Sequence, residues 1–336
     1  MSHQRPSRQQ QDSNPTAGQA FGQGIPDSST GAPAPEPRPG TRSGILAKGS
    51  WVLAGFFGPL SALAALLLVA LLAFPPARTN VLILGTDRRP GEIAPSRTDT
   101  VLLVTGDPSK PYMGMLSIPR DLWVRLPDGG ENRINAAYHF AELAQPGSGP
   151  SAAVSTVQNN FGLPIDGYVL IDFKGFVRLI DAAGGVEINV PEPLVDYDYP
   201  TDDYGVTTVT IEAGPQRMDG EVALAYARIR HGTNDLQRVN HQQQIVQALL
   251  AQLLDPAAIP RYPAVFKVLT RSVESDLALV QLLRLAPTII LVGPAGIHRE
   301  VLQGEMVQPY TTAQGASVLL PLWEEIRPLL AEMFGG

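Results

Sequence analysis

Asp87, Arg97, Asp99 and Arg120 stand at the ends of three short apolar runs, and each run carries charge at that one end only. The runs are Val81 to Thr86, closed by Asp87; Val101 to Val104, opened by Ser96-Arg97-Thr98-Asp99-Thr100; and Met113 to Ile118, closed by Pro119-Arg120-Asp121. A guanidinium is a planar fork of donors that matches phosphate oxygens, and paired carboxylates suit a hard divalent cation such as Mg²⁺. The plainer account is that acids and arginines at loop ends pair with one another.

The elements that would bring these residues together are strands. Short apolar runs bounded by Gly, Pro and Asp read as buried strands. If the three are neighbours joined up-down-up, the finish of the first, the start of the second and the finish of the third share one sheet edge. That meander predicts a mixed-charge cluster of Asp87, Arg97, Asp99 and Arg120.

A second constellation lies at residues 219–242, DGEVALAYARIRHGTNDLQRVNHQ. Asp219 opens a helix that ends near Arg228-Ile229-Arg230, and two residues apart do not share a helix face. Asn234 or Asp235 then caps a further helix. On it Asp235, Arg238 and Gln242 recur on one face, with Ile245, Val246, Leu249, Leu250 and Leu253 expected opposite. A helix N-terminus bearing an arginine is an anion site in waiting; a capped amphipathic helix with solvated polar residues is the bland alternative.

Composition narrows the setting. Residues 1–48 are polar and rich in Pro, Gly, Ser and Gln, the composition of a disordered tail. From Trp51 to Phe74 no residue is charged, a stretch long enough to cross a bilayer as a helix. Arg38, Arg42 and Lys48 precede it, which places the tail in the cytoplasm and the rest outside. The expected layout is a disordered cytoplasmic tail over 1–48, a single transmembrane helix over 49–76 and an outer domain over 77–336. Five of the 25 Lys/Arg and three of the 32 Asp/Glu fall in residues 1–77, so the outer part carries 20 basic against 29 acidic groups. That balance argues against nucleic acid, whose binding needs a basic face. Cysteine is absent, which removes disulfides, thiolate metal sites and cysteine nucleophiles. No histidine has a partner at metal-ligand spacing.

The remaining pattern alternates strand and helix. Helices are expected at Ile134 to Leu143, Ser151 to Asn160 and Phe176 to Ala183, and strands at Tyr168 to Phe173, Val186 to Val190 and Val206 to Ile211. Gly184-Gly185 stops the third of these helices. This predicts an α/β fold, a central mixed sheet covered by helices on both sides. Residues 191–206, Pro-bounded, acidic and aromatic, read first as a solvated surface loop, with a cation or sugar contact as the alternative. Beyond residue 255 come apolar helices at Tyr262 to Leu269 and Leu277 to Val292, a strand-like piece at Ile297 to Leu302 and a closing helix from about Ala316 to Phe334. The apolar helices read first as ordinary core, with a hydrocarbon groove as the alternative.

Several segments together resemble one family. NVLILGTDRRP, SRTDTVLLV, LSIPRDLWVRLP, INAAYHFA, FVRLIDAAGGVEINVP, MDGEVALAYARIRHG and NDLQRVNHQQQ occur in the order and rough spacing of the LytR-CpsA-Psr family, over about residues 80–250. The resemblance implies the family's α-β-α fold and an enzyme that moves a glycopolymer from an undecaprenyl pyrophosphate carrier onto a peptidoglycan sugar hydroxyl. The product is a phosphodiester, and the metal on the pyrophosphate is Mg²⁺ or Mn²⁺. Polyprenyl-pyrophosphate hydrolysis and non-enzymatic lipid binding by an envelope regulator are the alternatives.

The same resemblance implies roles. Asp87 and Asp99 match the metal-linked acids. Arg97, Arg120, Arg228 and Arg230 match the pyrophosphate-binding arginines, with Arg97 and Arg120 acting in catalysis. Arg238 and Gln242 match the first arginine and the glutamine of a GDxxRxxRQ motif. Asp235 matches its aspartate, where a general base is expected. Asn234 replaces the motif's glycine and His241 its second arginine, so charge at that last position would depend on pH.

Overall fold

A computed structural model of the chain describes residues 78–87, 95–201, 205–229 and 235–335. The polar tail and the uncharged stretch from Trp51 to Phe74 lie outside those residues. Among the described residues no helix is long and apolar enough to cross a membrane.

The three apolar runs form the expected meander. β1 (Thr79–Thr86), β2 (Thr98–Asp107) and β3 (Tyr112–Ser117) are successive antiparallel neighbours, with Leu82 opposite Leu103 and Leu103 opposite Leu116. A small hairpin of β4 (Trp123–Arg125) and β5 (Glu131–Arg133) follows. Next come α1 (Ala136–Ala144) and α2 (Gly149–Phe161). β6 (Gly167–Asp172) then adds parallel to β1.

Asp172 caps α3 (Phe173–Ala183): its carboxylate accepts from the Gly175 N–H at 2.6 Å, satisfying a free helix-terminal donor. Beyond α3 lie β7 (Val186–Val190), β8 (Leu194–Pro200), β9 (Val206–Ile211) and β10 (Gly214–Met218). They pair as two small antiparallel ribbons, β7 with β10 and β8 with β9. Residues 194–200 are therefore a strand, not the surface loop their composition predicts. Asp219 caps α4 (Gly220–Arg228) by accepting from Val222 N–H at 2.9 Å. Gly220 is pressed against the Val177 backbone of α3, where no side chain fits.

The chain continues through α5 (Asp235–Leu254), α6 (Tyr262–Ser272), β11 (Val273–Ser275), α7 (Leu279–Val292) and β12 (His298–Val301). The central sheet runs β11-β6-β1-β2-β3-β12; β6 lies parallel to β1, β12 lies parallel to β3, and the other pairings are antiparallel. It is a mixed sheet. The closing region differs from its sequence reading. β13 (Val307–Thr311) and β14 (Ser317–Pro321) make a hairpin first, and only then does α8 (Trp323–Phe334) begin.

Alternation along β1 to β3 divides the core. Leu82, Leu84, Leu103 and Leu116 face one layer, packed with residues of α1, α2 and α8 such as Tyr138, Val157 and Ile326. Leu102, Met113 and Met115 face the other, against α5 and α7 through Val246, Leu250, Ile289 and Val292. Full burial of a leucine stabilises by roughly 1.5–3 kcal/mol, so both faces of these strands hold the sheet between its helical layers. Helices cover both faces, as expected. A further core of α3, α4 and the two ribbons, centred on Ile180, Met218 and Tyr226, stands beside it.

Candidate active site

The pairing of β1 with β2 slips once, at the charged end. Gly85 is opposite Thr100 and Thr86 opposite Thr98, which leaves Asp99 as the extra residue of a bulge. In an unbroken strand neighbouring side chains point to opposite faces; a bulge re-aims one of them. Asp99 and Thr100 consequently line the same cavity.

That cavity, about 650 Å³, lies on the α5 side of the sheet. Its floor is Ile83, Gly85 and Leu102, and its walls include Phe176, Leu224 and Val246. The floor is close-packed at Gly85, where a Cβ would come within 3.0 Å of the Thr100 side chain. At its charged end stand Asp87, Asp99, Arg228, Arg238 and Gln242. A second cavity of about 450 Å³ is lined by Arg97, Arg120, Asp121, Arg133 and Asn135. Asp87 and Asp99 belong to both. One cavity is mainly apolar, the other polar and rich in arginine, and two carboxylates stand where they meet.

Each acid has a guanidinium beside it. Arg120 Nη1 donates to Asp99 Oδ1 at 2.6 Å, with both side chains only partly exposed. Arg228 Nη2 lies 3.8 Å from Asp87 Oδ2. Arg228, the last residue of α4, is held firmly: its guanidinium sits 4.4 Å from the Phe173 ring centroid and 5.1 Å from that of Tyr199, and it donates to the Tyr199 hydroxyl at 3.2 Å. Stacking on aromatic faces leaves the fork's edge for oxygens. In the polar cavity Arg133 Nε lies 3.2 Å from Asp121 Oδ1 and its Nη2 donates to Ser317 O at 2.7 Å. The Pro95 carbonyl beside Arg97 accepts from His139 Nδ1 at 2.7 Å, which ties that segment to α1.

The predicted meander cluster is thus assembled: Asp87, Arg97, Asp99 and Arg120 line one cavity. Arg228, Arg238 and Gln242 join from α4 and α5. Arg238 is almost fully buried, and Gln242 Nε2 donates weakly to Ala227 O at 3.4 Å. Arg230, Asn234 and the side chain of Asp235 lie outside the described residues. Two readings change. Ile245 and Val246 share the cavity-facing side of α5 with Arg238 and Gln242 rather than opposing it, so one helix face grades from polar to apolar along its length. His241 does not reach the cavity. It is buried, stacked on Tyr226 with ring centroids 4.0 Å apart, and its Nδ1 donates to the Tyr226 carbonyl at 3.1 Å. Burial holds its imidazole below the usual histidine range, the carbonyl bond opposing, so it is no substitute for an arginine on phosphate.

Sequence reasoning missed Phe173 and Tyr199, which brace Arg228, and Asp196 and Asp198, which line the apolar cavity. The signal for Tyr199 was the aromatic-acidic alternation of DYDYP, hidden by its reading as a loop.

With this geometry, comparison with known proteins is decisive. The LytR_cpsA_psr family model matches residues 76–333. The chain belongs to the LytR-CpsA-Psr family. It is 31% identical over 258 residues to the polyisoprenyl-teichoic acid–peptidoglycan teichoic acid transferase TagU of Oceanobacillus iheyensis, a match covering 76% of this chain and 75% of that one. It is 32% identical over 207 residues to TagV of Bacillus subtilis, named for the same transfer, covering 60% of this chain and half of TagV. The crystal structure of B. subtilis TagV superposes with a TM-score of 0.63 at 28% identity, over 76% of this chain and 97% of that one. The LytR-CpsA-Psr match extends past the segments that first pointed to it, through the β13–β14 hairpin and into α8.

Among the described residues no group of three or more His, Cys, Asp and Glu is arranged to hold a metal ion. Two carboxylates at one junction do fit Mg²⁺, which commonly takes one or two protein carboxylates and completes its shell with substrate phosphate and water.

Proposed function

We propose that this LytR-CpsA-Psr chain is a phosphotransferase that moves a glycopolymer from a polyprenyl-pyrophosphate carrier to a peptidoglycan sugar hydroxyl, forming a phosphodiester. The observation that carries this is the meeting of an apolar and an arginine-rich cavity at Asp87 and Asp99. A ligand matched to both has a hydrocarbon chain at one end, polar sugar at the other and concentrated negative charge between. The TagU and TagV names agree in reaction class.

The apolar cavity takes the near end of the prenyl chain and excludes water from it. Arg228, stacked between Phe173 and Tyr199, and buried Arg238 receive the phosphate on the lipid side. Arg120 and Arg97 receive the sugar-linked phosphate from the polar side. The acceptor hydroxyl oxygen bonds to the sugar-linked phosphorus as the P–O bond to the carrier's phosphate breaks; the acceptor proton leaves to a base, and polyprenyl phosphate departs. Arginines fixed before the reaction stabilise the charge that builds on the phosphoryl oxygens. Asp87 and Asp99 would hold Mg²⁺, which when bound supplies further neutralisation of that charge. Asp235, at the start of α5, is the proposed proton acceptor.

The uncharged stretch before β1 would anchor the chain in the cell membrane, tail inward and catalytic domain outside. The test is transfer in vitro, with a polyprenyl-pyrophosphate-linked glycan and a peptidoglycan fragment. Acceptor-linked phosphodiester, lost on chelation and restored by Mg²⁺, supports the reading. Phosphate release with no acceptor-linked product would assign hydrolysis instead.

A further inference from the structure

The apolar segment Tyr262 to Leu269, read from sequence as core, is mostly outside. Of α6 only Val265 is fully buried. Tyr262, Phe266 and Leu269, spaced i, i+4 and i+7 on one helix face, are exposed, Phe266 to 64%, and Ile259 in the turn before them to 58%. Arg261, Lys267 and Arg271 are exposed on the same short segment. No acid occurs between Asp255 and Glu274 in a chain of net charge −7. The two flanking acids are engaged: Asp255 accepts from Ala257 N–H at 2.8 Å and Glu274 from the Tyr168 hydroxyl at 3.0 Å.

We infer that residues 256–272 form an interfacial platform that seats on an anionic phospholipid surface. An exposed apolar stripe interspersed with cations and free of acids over 256–272 is the pattern of helices that lie in a membrane interface, the apolar side chains entering the acyl boundary and the cations meeting headgroup phosphates. The segment runs into β11 at Val273, which pairs with Ile171, itself the neighbour of Gly85, so the C-terminus of α6 lies at the cavity end of the sheet.

α6 also stands next to the lipid cavity. Its C-terminal carbonyl, Ser272 O, lies where a Cβ on Gly175 would come within 2.6 Å, and α3, which carries Gly175, supplies the cavity residues Phe173 and Phe176. The platform would hold the domain so that a carrier lipid passes from bilayer to cavity along α3. This last link rests on the proposed function; the docking itself does not.

The chain has no cysteine, so a single introduced thiol labels cleanly. Full-length Phe266→Cys, carrying an environment-sensitive fluorophore, is placed in nanodiscs of phosphatidylcholine with or without phosphatidylglycerol. The expected result is a blue shift, and quenching by brominated lipid, when phosphatidylglycerol is present. The shift should weaken in a Lys267→Glu/Arg271→Glu background and be absent for a label at exposed Gln303. An emission at position 266 that matches Gln303 in anionic discs overturns the inference, as does a shift that appears only when envelope proteins are added. Label insertion without glycopolymer transfer would count against the proposed function alone. Transfer with a water-exposed label would count against the platform alone.

Discussion

Replacing Arg120 with alanine should separate catalysis from folding. Its guanidinium donates to Asp99 at 2.6 Å, with the two side chains 22% and 30% exposed. An ion pair so placed contributes about 0–1 kcal/mol to stability, because solvent screens it. In a domain of this size that corresponds to a thermal midpoint lowered by about 2–4 °C at most. On a phosphoryl oxygen in the transition state, the same donor acts where charge develops. Removing one preorganised donor of that kind typically costs about 10²–10³ in rate, roughly 2.7–4 kcal/mol. Arg120→Ala should therefore lose two to three orders of magnitude in kcat/KM for transfer while the fold scarcely changes. Arg120→Lys, which keeps charge but loses the fork, should fall between. The assay is transfer kinetics beside thermal unfolding of the same preparations. A kcat/KM within about threefold of wild type, on the donor-loss scale above, would refute the phosphate role. A midpoint drop well beyond a few degrees would make Arg120 a structural residue instead.

Three further outcomes follow from the geometry. Tyr199→Phe keeps the ring beside Arg228 but removes the hydroxyl 3.2 Å from its Nη1, so carrier KM should rise by up to about tenfold, the scale of one hydrogen bond, with a smaller change in kcat. Ala227→Phe puts a ring into the apolar cavity, and after incubation with polyprenyl phosphate the variant should retain less of it by mass spectrometry than wild type, with the fold retained. His241 is buried with its imidazole held below the usual value. Above about pH 6.5 both folded and unfolded chains carry it neutral; below that the unfolded chain takes up the proton first, so stability falls with pH until the folded value is passed. Urea unfolding should show His241→Phe losing less stability than wild type on acidification from neutral pH, and equal losses would contradict its buried, neutral state.

Much of this site was legible because three adjacent strands each carry charge at one end, and chain reversal alone brings such ends together. The bulge at Asp99 was not legible: it depends on register, which no single strand reveals. β8 was hidden for a related reason. A register shift between Asp196 and Tyr199 breaks the alternation that marks a strand, so Leu194 and Tyr199 turn inward without an even spacing. β14 reads as the start of the closing helix because its partner strand β13, VQPYT, is mostly exposed and has no apolar face to announce a hairpin. His241 shows the limit of motif reading. Its position matched an arginine's, but α5 turns it onto Tyr226, whose phenol burial pushes up to about 12. The apolar α6 shows the converse, hydrophobicity that looked like core and lies on the surface.

A ligand that bridges the two cavities and is cut at its pyrophosphate fixes the ratio of its products. The most direct measurement is the product balance of a single-turnover reaction with a polyprenyl-pyrophosphate-linked glycan and a peptidoglycan fragment. One polyprenyl monophosphate should be released for each phosphodiester-linked glycan on the acceptor, with both products lost in Asp99→Ala. Polyprenyl monophosphate accompanied by free glycan phosphate, or full transfer by Asp99→Ala, would contradict it.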